Sequence, residues 1–217
     1  MSTAMDRARQ ELAPNGTLRV GLNLSNFLLI NRGTPVGVHE GIVPDLAQAL
    51  AAELLADEPA RAKTIAFSPA YLEIQATYLV PAGSPLKRVE DVDRPGVRIA
   101  AMGSGAYTLY LQRTLKHAEL VLTSSIDESF DVFVAQKLEA LSGLRTRLLA
   151  DHAKLPGSTL LPGYFTSVQQ AVGCSRRHSA APGYLADFAR RMRDGGAVQR
   201  AIDKHRVVGV NVAPAQG

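Results

Sequence analysis

The stretch Asp57–Tyr71, DEPARAKTIAFSPAY, sets one arginine, Arg61, after a strand-like run and ahead of two aromatics, Phe67 and Tyr71. A guanidinium presents a rigid fork of donors that fits a carboxylate through two parallel hydrogen bonds, and it stays charged when partly buried. Pro59 suits the first turn of a helix, where its missing N–H costs nothing, so Arg61 would lie beside unpaired backbone N–H groups. Arginine fork and helix start then point at one anion, which makes Arg61 the candidate ligand clamp. The alternative is a surface arginine paired with Asp57 or Glu58.

Working outward, strand-like and helix-like pieces alternate. Residues before Pro14 read as a short polar amphipathic helix or a frayed tail, and Thr17–Leu24, TLRVGLNL, as the first strand. Ser25, Asn26 and Phe27 follow at its carboxyl end, the edge where open α/β sheets collect ligands, so Phe27 is either a pocket wall or a core aromatic. Asn31–Gly37, NRGTPVG, is a turn, and Val43–Leu55 has helical spacing with Asp45 in its first turn. Ala66–Tyr71 is an irregular link and Leu72–Val80, LEIQATYLV, a strand; Pro81, Gly83 and Pro85 then mark a lobe boundary. Val97–Ala101 is a strand leading into Met102-Gly103-Ser104-Gly105-Ala106-Tyr107 and a helix through His117. Such a turn exposes backbone N–H groups at a helix's positive end, a seat for an anion. It is neither a P-loop nor GxGxxG nor GxSxG, so Ser104 reads as a hydrogen-bond donor rather than a nucleophile.

The second half continues with a strand at Leu120–Leu122, a helix at Asp127–Gln136, a strand at Leu138–Leu141, a helix at Arg145–Lys154 and a strand near Thr159–Leu161. Ser167–Cys174 is one extended piece able to cross back to the first lobe. Gly183–Met192 and Ala197–His205 are amphipathic helices, and the tail from Val207 is extended.

Over 217 residues, 46% hydrophobic and 20% charged residues describe an ordinary globular composition, long enough for one large domain or two lobes. A net charge of +4 with scattered cations tilts toward a small anionic ligand and away from nucleic acid. The lone Cys174 excludes an internal disulfide, and no apolar run is long enough to span a membrane as a helix. The start, MSTAMDRARQELAPNG, lacks an apolar core for a signal peptide, so the expectation is a protein that stays in the cytoplasm or one whose leader has been removed. His39, His117, His152, His178 and His205 show no metal-ligand spacing, and no cofactor motif is present.

The order GTLRVGLN, a following aromatic, PARAKTIAFSPAY, YLVPAGSPLKRVEDVDRPGVRIAAMGSGA and the closing DGGAVQRAI resembles the amino-acid-type (family 3) bacterial extracellular solute-binding proteins, the receptors of ABC importers. The resemblance covers Gly16 to about Lys204 and implies a two-lobed type 2 periplasmic binding fold, α/β, each lobe a mixed sheet flanked by helices. It implies a first lobe from residues 1–81 and 167–217 and a second from 82–166, joined through crossover strands at Thr77–Val80 and Gln169–Gly173. By the same resemblance Arg61 grips a ligand carboxylate, Gly103, Ser104 and Gly105 form the turn that meets it, Phe27 is the aromatic wall, and Tyr71 lies near the cleft as a structural residue. Hinge closure around a small anionic or amino-acid-like ligand, and delivery to an ABC permease if the protein is exported, are the implied mechanism.

Two departures stand out. The usual helix and strand of the first lobe are missing after Glu53, leaving apolar surface to be repacked, left open or paired with another chain, as in a homodimer. Where an acidic residue would hold a ligand ammonium, the chain has Ser142-Gly143-Leu144-Arg145, a cation that favours a carboxylate or other anion unless Glu73 or Asp57 supplies the charge. An alternative function is an enzyme resembling cyclohexadienyl dehydratases on the same fold, with Glu73 as acid or base; a third is a degenerate or regulatory ligand-sensing module.

Overall fold

The computed structural model describes residues 3–14, 17–21, 30, 39–54 and 65–215. In chain order these form α1 (Ala4–Leu12), α2 (Ile42–Leu54), β1 (Ile65–Phe67), β2 (Leu72–Val80), β3 (Arg98–Met102), α3 (Ala106–Thr114), β4 (Glu119–Thr123), α4 (Ile126–Ala135), β5 (Ala140–Leu144), α5 (Arg145–Lys154), β6 (Thr159–Leu160), β7 (Thr166–Gln170), β8 (Gly173–Ser175), α6 (Ala181–Asp194), α7 (Ala197–His205) and β9 (Val210–Val212). The chain divides into two compact units: unit 1 is 1–73, 169–207 and 211–217, and unit 2 is 74–168 and 208–210.

Unit 2 is built on a mixed sheet of order β4-β3-β5-β2-β6, with β7 and β9 also pairing with β2. β3 runs parallel to both β4 and β5, in register Ala100↔Val121 and Ala100↔Leu141, while β2 is antiparallel to β5 with Ala76↔Leu144. Helices cover both faces, so the strands are apolar on both sides rather than alternating with polar residues. Tyr78, Val80, Ile99 and Ala140 pack on one face with Leu111 and Leu161; Leu79, Ala100 and Leu141 pack on the other with Phe133 and Leu148. A fork from Arg98 to Glu139, at 2.8 and 3.0 Å, ties the start of β3 to that of β5.

In unit 1 the described sheet is the antiparallel pair β1–β8, with Ala66 opposite Cys174. Around it Leu50, Leu185 and Phe188 bury the apolar faces of α2 and α6. Thr3 caps α1 by accepting the Asp6 N–H, and Asp6 returns a bond from the Thr3 N–H. Asp45, in the first turn of α2, accepts from Lys204 Nζ at 2.9 Å and meets His205 Nε2 at 3.0 Å, fastening α2 to α7.

Several expectations need correction. Residues 17–21 carry no strand, and the rest of Thr17–Leu24 lies outside the described residues. Ala66–Tyr71 is not wholly irregular, because β1 enters it and pairs with β8. Ser167–Cys174 is two strands, β7 and β8, separated at residues 171–172. The first passage between units falls at Glu73–Ile74 rather than at Pro81, and Thr77–Val80 belongs to unit 2, where its backbone is bonded to β5 and β6. The return falls at 168–169, and a second excursion, residues 208–210, places part of the tail in unit 2.

Candidate functional site

The turn from β3 into α3 is held from below. Gly103 N–H donates to the Thr123 carbonyl at 2.9 Å, while the Met102 carbonyl accepts from Gly105 N–H at 3.0 Å and from Thr108 Oγ1 at 2.8 Å. Gly105 caps α3 and is packed so closely that a Cβ there would meet the Tyr107 ring at 3.0 Å and Thr108 Oγ1 at 3.1 Å. Tyr107 is buried beneath the turn; burial pushes its hydroxyl up in pKa, against the opposing pull of Arg147 and the Met102 backbone. The fixed turn leaves Ser104 exposed, and the N–H groups of Ser104, Ala106 and Tyr107 have no acceptor among the described residues. Three unfilled donors at the start of a nine-residue helix form the kind of anion-facing end that helix dipoles favour.

Because β3 and β5 run parallel side by side, this turn and Arg145, the first residue of α5, leave the same carboxyl-terminal edge of the sheet. Arg145 Nε donates to Gln75 Oε1 at 2.9 Å, and Nη2 donates to the Gly163 carbonyl. The stem lies against Gly209, where a Cβ would come within 3.0 Å of Arg145 Cβ and Cγ. Gln75 is itself anchored, its N–H donating to the Gly209 carbonyl at 3.3 Å. Thr146, next on α5, buries its Oγ1 with no hydrogen-bond partner among the described residues.

Of the other residues singled out by sequence, Glu73 stands on β2 in unit 1 and its Oε2 accepts from Gln169 Nε2 at 2.9 Å. Tyr71 is buried, its N–H bonded to the Gln170 carbonyl and its carbonyl accepting from Ala213 N–H; burial pushes its hydroxyl up to about 12. It lines a cavity of about 200 Å³ within unit 1 whose walls include Leu46, Leu50, Leu185 and Phe188. Arg61 and Phe27 lie outside the described residues, as does the sequence immediately after Leu54 where the first lobe was read as shortened. Arg145 stands out in the sequence as a cation, whereas Gln75, Gly163 and Gly209 around it do not. Gly163 and Gly209 are turn glycines of a common kind, and Gln75 is one polar residue within a strand, so nothing local singles them out.

No family model matches the chain, and no curated protein matches it in sequence. Solved structures do. An ancestral amino acid-binding protein, AncCDT-1, described as a precursor of cyclohexadienyl dehydratase, superposes with a TM-score of 0.66 at 18% identity, covering 94% of this chain and 99% of that one. The chain has the fold of the type 2 periplasmic binding proteins. A mutant of ArgBP from T. maritima shares this fold at a TM-score of 0.64 and 17% identity, over 93% of this chain and 98% of that one. So does the cysteine-binding protein of Campylobacter jejuni, at 0.64 and 16%, over 94% and 92%. In this periplasmic binding fold, the β3–α3 turn and Arg145 both stand on unit 2.

Proposed function

We propose that the chain is a solute-binding protein of an ABC-type importer, taking a small carboxylate or amino-acid-like ligand. The observation that carries this reading is the β3–α3 turn, where Ser104 and the unfilled N–H groups of Ser104, Ala106 and Tyr107 gather at a helix start in a fold shared with amino-acid-binding proteins. In this reading Arg61 clamps the ligand carboxylate and Phe27 walls the pocket. Ligand capture by hinge closure, an ABC permease as partner, a periplasmic location and pairing with a second copy through the shortened lobe belong to the same proposal.

The test is a thermal-shift screen against amino acids, keto acids, dicarboxylates and aromatic acids, repeated with Arg61→Ala. A ligand that binds only the native state raises the melting temperature by mass action, by about 2.7 kcal/mol of added stability at a hundredfold excess over Kd. The expected outcome is that one class of carboxylate stabilises the wild type and fails to stabilise Arg61→Ala. A mutant stabilised as well as the wild type removes Arg61 from the site.

The likeness to a precursor of cyclohexadienyl dehydratase favours a second reading, an enzyme with Glu73 as its acid or base. Turnover of a carboxylated ring, lost in Glu73→Gln, separates this reading from simple binding.

A further inference from the structure

We infer that Arg145 is the seat of an anionic group of the ligand, so that the ligand carries a carboxylate, and no ammonium, where it meets the β5–α5 edge. The inference rests on the binding-protein reading above and names the ligand class for that site. The guanidinium is fixed before any ligand arrives, by Gln75 at Nε, the Gly163 carbonyl at Nη2 and Gly209 along the stem. Those partners use two of its five N–H donors, leaving both Nη1 hydrogens and one Nη2 hydrogen without an acceptor among the described residues.

Its surroundings are also neutral. Other well-covered arginines are matched by an acid: Arg147 reaches Asp127 and Asp151 at 2.8 Å, and Arg193 reaches Asp194 at 2.7 Å. Arg145, half-buried, has no carboxylate within 4.0 Å among the described residues, so its charge is held by amide and carbonyl dipoles alone. The Ser104, Ala106 and Tyr107 N–H donors on the same sheet edge, and the Thr146 hydroxyl next to Arg145 on α5, also have no acceptor among the described residues. A site of fixed donors and one uncompensated cation attracts an anion and repels an ammonium, and a planar fork takes a carboxylate through two bonds at once.

The test is calorimetric titration with 2-oxoglutarate, glutarate, glutamine and arginine. The wild type should bind at least one of the two carboxylates lacking an ammonium about tenfold or more tightly than either amino acid. Removing one member of a hydrogen-bonded charge pair weakens binding strongly, so Arg145→Gln should lose about 30-fold or more of that affinity. Arg145→Lys, which keeps the charge without the fork, should fall between, and Arg145→Asp should reverse the preference toward arginine. If Arg145→Gln fails to fold, the Lys variant carries the same comparison. Carboxylate affinity unchanged in Arg145→Gln or Arg145→Lys but lost in Arg61→Ala overturns this inference and leaves the binding-protein reading intact. Tighter binding of arginine or glutamine by the wild type overturns it as well. No binding of any of the four by the wild type overturns the inference; the wider screen above then decides the reading itself.

Discussion

At the scale of single residues, Glu11 shows how a carboxylate can hold a helix in place. Its oxygens accept from Ser179 N–H and Oγ at 2.7 Å, from Ala180 N–H at 2.9 Å and from Ala181 N–H at 2.7 Å, so α1 closes the open start of α6. Burial alone would raise its pKa, but the bonds from Ala181, Ser179 and Ala180 outweigh it and bring the group from its ordinary 4.5 down to about 2. A carboxyl whose pKa is depressed by folding stabilises the native state above its unfolded value. That stability is lost as the pH falls from about 4.5 towards 2. Glu11→Gln should therefore melt about 2–4 °C below wild type at pH 7, the effect of losing about 1 kcal/mol of capping in a chain of this size, and the gap should close as the pH falls through that window. Melting curves at pH 7, 4 and 2.5 check it. None of this was legible in the sequence, since Glu11 and Ser179 are 168 residues apart. Arg145 was legible only as a cation in an unexpected place; its neutral setting depends on Gln75, 70 residues earlier, and on Gly163, 18 later.

At the scale of elements, local signals served well where the element carries them itself. α5, α7 and β2 begin and end where the sequence placed them, because their periodicity and flanking breakers are contained in the stretch. β1 was missed because a three-residue strand has almost no pattern of its own, and its pairing with β8 joins residues far apart in the chain. α3 was read through His117 but stops at Thr114. The Asp93 carboxylate accepts the N–H groups of Lys116, His117 and Ala118, drawing them out of the helical ladder. The start of α3 is as constrained as its end. Gly105→Ala would drive a methyl into Tyr107 and Thr108, an overpacking that should lower stability by about 1–3 kcal/mol. Urea unfolding should show the midpoint falling with the slope unchanged.

At the scale of the molecule, the chain enters unit 2 through β2, leaves through β7, and returns for residues 208–210 before β9 ends in unit 1. The α/β class was legible in the alternating segments and a division into two lobes was implied only by the family resemblance, but the second excursion into unit 2 was in neither, because an extended tail carries no sign of which unit it will join. That excursion has a measurable weight. Gly209 has a φ of +81°, a left-handed conformation that suits glycine, and a side chain there would press on the Arg145 stem. Gly209→Ala should cost about 1–2 kcal/mol from the backbone alone. It should also weaken ligand binding, although residue 209 presents no polar side chain of its own. Parallel denaturation and calorimetric measurements would separate the two effects.

The same three residues bear on how the protein is made. Strands β2 to β7 leave the ribosome in one block, yet the backbone that braces Gln75 and underlies Arg145 is translated only after α6 and α7. Nascent chains fold broadly from the N-terminal end as they emerge. The β5–α5 edge is therefore complete only once residues 208–210 have emerged, and in the reading proposed above competence to bind is acquired with that segment, which itself belongs to neither helix nor pocket.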